Sequence, residues 1–185
     1  LRRILLAAVV VVLLQGQEQE KRDHSPILAR GSGPRPSIRN LPRAARAGRP
    51  RTARRGGAGN DSIQGGAGND VLVGAAGNDT VLGQGGNDTV TGGLDNDTLD
   101  GGTGSGDVLR DSADANFTLT NTQLLGVGID TLAGFEFANL TGGAGNNTLT
   151  ATAFTGAGAV TLNGDGGNDT LLGASSRVNV LNGGD

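Results

Sequence analysis

Between Gly56 and Asp100, an aliphatic residue (Ile63, Leu72, Val81, Val90 and Leu99) recurs every nine positions in a stretch rich in Gly, Asn, Asp and Thr. The stretch divides without gaps into five nonamers: Gly56–Gln64, Gly65–Val73, Gly74–Leu82, Gly83–Thr91 and Gly92–Asp100. Glycines at positions 1, 2 and 4 permit positive φ and close backbone approach, so positions 1 to 6 are predicted to form a tight turn rather than a helix. Positions 7 to 9, rich in Thr and Val, read as a very short strand that turns its central side chain inward. Two nonamers then close one lap of a flattened parallel solenoid, with each aliphatic residue stacked on the one two units earlier. The predicted fold is all-β, a parallel β-roll or β-solenoid.

The pattern changes twice downstream. From Arg110 to Thr141 the nonamer lapses, and Phe117-Thr-Leu-Thr and Asp130-Thr-Leu-Ala-Gly-Phe-Glu-Phe137 alternate apolar and polar residues, which predicts longer strands. All four Phe residues lie between 117 and 154; they are expected to supply core that the glycine units lack, in an insert that continues the solenoid or joins two rolls. From Gly142 to Asp185 the repeat returns in degenerate form. Asn147 stands where Asp is expected, Asp169 restores the motif, and the unit containing Arg177 loses it.

Upstream, eleven apolar residues (Ile4 to Leu14) follow Leu1-Arg2-Arg3, a length closer to a secretory signal than to a membrane span of roughly 20 residues. Residues 15–55 lack apolar periodicity and read as a disordered basic linker. Charge sharpens this boundary. The first 55 residues hold 13 Lys and Arg against 3 Asp and Glu, a net of +10, and the remainder holds 2 against 15, a net of −13. Of 35 glycines, 31 lie beyond the boundary. The expected organisation is therefore an apolar signal-like segment (1–14), the linker (15–55), a nonapeptide roll (56–109), a Phe-containing insert (110–141) and a degenerate second block (142–185).

Composition removes several functions. The chain has no Cys and a single His, His24 in the basic tail, so thiolate metal sites and a histidine-based catalytic triad lack their parts. There is no phosphate-binding loop and no nucleophile elbow. The tail has no aromatic platform, and no specific nucleic-acid binding is expected. The chain is not expected to be an enzyme.

What remains is the sixth position of each nonamer, always Asp: Asp61, Asp70, Asp79, Asp88 and Asp97. Stacking places these carboxylates on successive laps about 4.8 Å apart, where each pair repels by about 3 to 4 kcal/mol at an effective dielectric near 20. A thin aliphatic core does not offset that, so a cation must sit between the turns. Carboxylate and carbonyl oxygens in flexible loops suit calcium; magnesium demands tighter octahedral geometry.

These units resemble the glycine-rich nonapeptide repeats of RTX, or hemolysin-type, calcium-binding proteins. The resemblance implies a parallel β-roll with Ca2+ held between turns on the same side, and export with folding outside the cell. The pairs would be Asp61 with Asp79, Asp70 with Asp88 and Asp79 with Asp97, about three full sites, with one weak ion at most near Asp169. Ala75, Gln84 and Asp95 replace motif glycines at the cost of turn strain. Asp107, one residue late, leaves its site in doubt. The metal-site expectation is Asp61, Asp70, Asp79, Asp88, Asp97 and Asp169. The functional expectation is a secreted, extracellular calcium-binding repeat module that folds on binding Ca2+ and serves a structural, export or adhesion role. Its partners would be calcium ions, with a cell-surface or matrix partner open, no stable membrane span, and the oligomeric state undetermined. The alternative is the C-terminal portion of a larger exported protease, lipase or epimerase, motivated by a chain that stops inside a repeat.

Overall fold

The computed structural model describes residues 52–175 and 178–184. The signal-like segment, nearly all of the basic linker, His24 and Arg177 lie outside the described residues. Among the described residues there are fifteen strands and no helix, and hence no helix long and apolar enough to cross a membrane.

Two sheets form the walls of the solenoid. The first has seven parallel strands in the order β1 (Ala53–Ala58), β3 (Val71–Ala76), β5 (Thr89–Leu94), β7 (Val108–Ser112), β11 (Phe137–Thr141), β13 (Val160–Asn163) and β15 (Asn179–Asn182). The second runs β2 (Ser62–Ala67), β4 (Thr80–Gly85), β6 (Thr98–Asp100), β10 (Ile129–Ala133), β9 (Gln123–Leu125), β8 (Phe117–Thr120), β12 (Thr148–Ala153) and β14 (Thr170–Leu172). Seven strands in the first wall correspond to about seven laps.

The register follows the sequence period. Ile63 pairs with Val81 and Val81 with Leu99 in one wall, and Leu72 pairs with Val90 in the other, each 18 residues apart. These aliphatic ladders are buried and form the core. The strands are longer than three residues, however. Each of β2 to β5 runs six residues, from position 7 of one nonamer through position 3 of the next, leaving only positions 4 to 6 as turn. The reason is hydrogen bonding: the amides and carbonyls of positions 2 and 3 also need partners, and the neighbouring lap supplies them in parallel register, as for Gly66 with Gln84 and Ala67 with Gly85.

The glycines divide by role. Positions 2 and 4 hold positive φ, and the replacements expected to be strained do too: Ala75 at 102°, Gln84 at 77° and Asp95 at 75°. Position 1 has ordinary φ and is small for steric reasons. A Cβ on Gly65 would lie 2.5 Å from the Gly83 carbonyl oxygen and 2.8 Å from Asp70 Oδ2.

The insert continues the same solenoid. Leu132 of β10 stacks on Leu99, and Ala138 of β11 lies between Leu109 and Val160. Its strands are three to five residues long, not longer than those of the nonamers. The chain doubles back instead: β9 pairs antiparallel with both β8 and β10, adding a three-strand meander to an otherwise parallel wall. Phe117, Leu119 and Leu124 are buried there, and Phe154 is buried nearby. Gly126 packs flat against the Phe117 ring, where a Cβ would overlap it.

Candidate metal centre

The turns stack into two columns, one along each edge of the solenoid. On one edge, the Asp61 amide donates to Asp79 Oδ1 at 2.7 Å, and the Asp79 amide to Asp97 Oδ1 at 2.8 Å. On the other, the Thr52 amide donates to Asp70 Oδ1 at 2.8 Å and the Asp70 amide to Asp88 Oδ1 at 2.7 Å. The geometry repeats along each column: each lap offers an N–H to the carboxylate of the next. It uses one oxygen of each carboxylate and leaves the other pointing back beneath the position-1 glycine of its own unit.

That second oxygen, Oδ2, is buried without a hydrogen-bond partner in Asp61, Asp70, Asp79, Asp88, Asp97 and Asp169. A buried, unsatisfied carboxylate oxygen is costly, and here it recurs on every lap of the nonamer block. Burial raises the carboxyls of Asp88 and Asp97 above the ordinary range, opposed by the donated amides and reinforced by neighbouring acids: Asp107 and Asp70 for the first, Asp79 and Asp95 for the second.

Three acids outside the expected set join the same columns. The extra residue before Asp107 is absorbed in the loop, and the Asp88 amide donates to Asp107 Oδ1 at 2.7 Å, as in the regular laps. The Asp97 amide donates to Asp130 Oδ1 at 2.9 Å across 33 residues, and the Asp107 amide to Glu136 Oε2 at 2.9 Å across 29. Asp130 carried a readable signal, because Asp130-Thr131-Leu132 repeats the Asp-Thr-Leu of positions 6 to 8 seen at Asp97. Glu136 carried none. In the second block the Asn147 amide donates to Asp169 Oδ1 at 2.8 Å, and Asn147 Nδ2 donates to Asp114 Oδ1 at 3.2 Å. The turn preceding Asp169 is therefore well formed, with an amide in place of one charge.

The donor set fits a hard, oxygen-seeking divalent ion. The free Oδ2 atoms, stacked one lap apart, lie beside the position-1 glycines, most of them near the glycine carbonyl of the next lap, and among the described residues no nitrogen or sulfur ligand joins them. Among the described residues no three His, Cys, Asp or Glu side chains converge to enclose an ion by themselves. This follows from one acid per turn: an ion here takes side chains from two laps and backbone carbonyls for the rest.

Comparison with known proteins agrees with the geometry. The family model for the RTX calcium-binding nonapeptide repeat matches residues 55–81, 73–108 and 141–177, in four copies. No curated protein and no solved structure matches the chain. Because the matched stretches are those that build the regular acid columns, the chain carries RTX calcium-binding nonapeptide repeats, and calcium is the ion that such repeats bind.

Proposed function

We propose that this chain is a secreted, calcium-responsive module whose solenoid folds when Ca2+ fills the acid columns, and that it works outside the cell as a structural, export or adhesion element. The observation that carries this reading is the row of buried, partnerless Oδ2 atoms at Asp61, Asp70, Asp79, Asp88, Asp97 and Asp169. Without a counter-charge these atoms oppose lap stacking, and a divalent ion between turns reverses the sign of that contribution.

The ligating residues would be those six acids, paired as Asp61 with Asp79, Asp70 with Asp88, and Asp79 with Asp97, with Asp107 extending the second column beyond Asp88. The position-1 glycines keep the space beside each Oδ2 open, and the turn carbonyls complete the shell. Bound calcium supplies charge neutralisation and cross-links successive laps. The protein's own residues supply the register: the amide-to-Oδ1 bonds fix the position of each carboxylate in the folded lap.

Affinity in the range of extracellular modules, about 10⁻⁴ to 10⁻³ M, would keep the chain unfolded at cytosolic calcium and folded outside. Far-ultraviolet circular dichroism in chelator and across a calcium titration tests this. Strand signal that appears with millimolar calcium is the expected result; an identical, fully strand-like spectrum in metal-stripped protein would refute coupled folding.

A further inference from the structure

The family match stops at residue 108 and resumes at 141, yet the acid columns do not stop there. Asp130 enters the column of Asp61, Asp79 and Asp97 with the same amide-to-Oδ1 bond that joins the regular laps. Thr131 and Leu132 pair with Thr98 and Leu99, so Asp130 stands beside Asp97 in the place that position 6 of a following nonamer would take.

A second, independent feature marks this step. Asp111, on β7, points into the protein and is only 5% exposed. Its Oδ1 accepts only the adjacent Ser112 amide at 2.7 Å, and its Oδ2 is buried with no partner. Val90 pairs with Leu109, and continuing that register by two residues brings Asp111 beside Gly92. A Cβ on Gly92 would run into Asp97 Oδ2. Asp111 carries a real side chain from the corresponding place on the next lap, so its carboxylate projects toward the acid column. Asp111 is within electrostatic reach of both Asp97 and Asp130. In a structural role this position favours an apolar residue, since its partner on the other side is the buried Leu140.

We infer that Asp97 and Asp130 form a further calcium site between the last regular nonamer and the insert, with the buried carboxylate of Asp111 as a third negative charge at that step. This deepens the proposed function and rests on its reading of the columns. Two acids and backbone carbonyls would ligate, as at the regular steps, and the additional charge would make this step the tightest of its column, because calcium affinity rises with ligand charge. Its position has a consequence for folding: one ion would clamp β6 to β10 and so seat the meander on the nonamer block.

The test is to count bound calcium by equilibrium dialysis and to follow the titration by calorimetry on the full chain. Asp130→Asn should lower the count by one relative to wild type, and Asp111→Asn should weaken the tightest step about ten-fold. The surface variant Asp165→Asn, at an exposed turn of the second block, should change neither. An unchanged count in Asp130→Asn, or an unchanged tightest step in Asp111→Asn, overturns the inference. Should Asp130→Asn stay unstructured at saturating calcium, Asp111→Asn decides alone, since it leaves the Asp97-to-Asp130 bond in place. Wild-type protein that binds no calcium would instead refute the proposed function itself.

Discussion

Replacing Asp79 with Asn should change stability in opposite directions with and without calcium. Asp79 lies between Asp61 and Asp97 in one column. At about 4.8 Å per lap each neighbour contributes about 3 to 4 kcal/mol of repulsion at an effective dielectric near 20. Solvent at the turns screens this, so removing one charge should stabilise the metal-free solenoid by about 1 to 3 kcal/mol. The amide keeps an oxygen for the Asp61 N–H, and its backbone N–H still reaches Asp97 Oδ1. An Asn already occupies the equivalent place at residue 147, with its side-chain nitrogen donating to Asp114. With calcium at a hundred-fold excess over its dissociation constant, each filled site is worth about 2.7 kcal/mol. Asp79 serves two steps, so weakening both should cost the calcium-loaded variant several kcal/mol. Urea denaturation followed by circular dichroism, in chelator and in excess calcium, measures both limbs; if the metal-free protein is too unstable to give a baseline, the same comparison is made in a stabilising osmolyte. A variant less stable than wild type in both conditions, or unchanged in both, would refute the electrostatic account of the columns.

Other expectations follow from the same geometry. Burial pushes Asp111 up to about 6 and Asp130 up to about 7, and raises Asp88, Asp97 and Asp107. A carboxyl with a raised pKa binds more protons folded than unfolded, so metal-free stability should fall as pH rises from about 4 to 7; circular dichroism of metal-stripped protein at pH 5 and pH 8 checks the direction, and greater order at pH 8 would contradict it. Gly74→Ala places a Cβ 2.6 Å from the Gly92 carbonyl oxygen and onto Asp79 Oδ2, and should abolish the calcium response at that turn. Gly57→Ala meets nothing within 4 Å and should cost only the strain of a positive φ, about 1 to 3 kcal/mol. Gln84→Gly should relieve strain of similar origin and raise stability by about 1 kcal/mol, read as a higher urea midpoint. Phe117→Ala empties a fully buried position and should cost about 3 to 5 kcal/mol, read as loss of protection from hydrogen exchange across β8 to β10.

The nonamer block was legible because its contacts are periodic. When an aliphatic residue and an acid both recur every nine positions, one lap of two units, strand-turn-strand-turn, places both sets in register at 18. The stacking of Ile63, Val81 and Leu99 and the acid columns through Asp97 follow from that repetition alone. Strand length did not, because positions 1 to 3 read as turn from their glycines while their amides find partners only when a neighbouring lap is present. Asp107, Asp130 and Glu136 joined the columns through contacts 19, 33 and 29 residues away, distances that no local period encodes. The reversal at β9 and the burial of Asp111 belong to the same class. Periodic sequence determined which residues repeat and therefore stack; the course of the chain between the two blocks was decided by three-dimensional packing, in which Phe117 and Leu124 join the core.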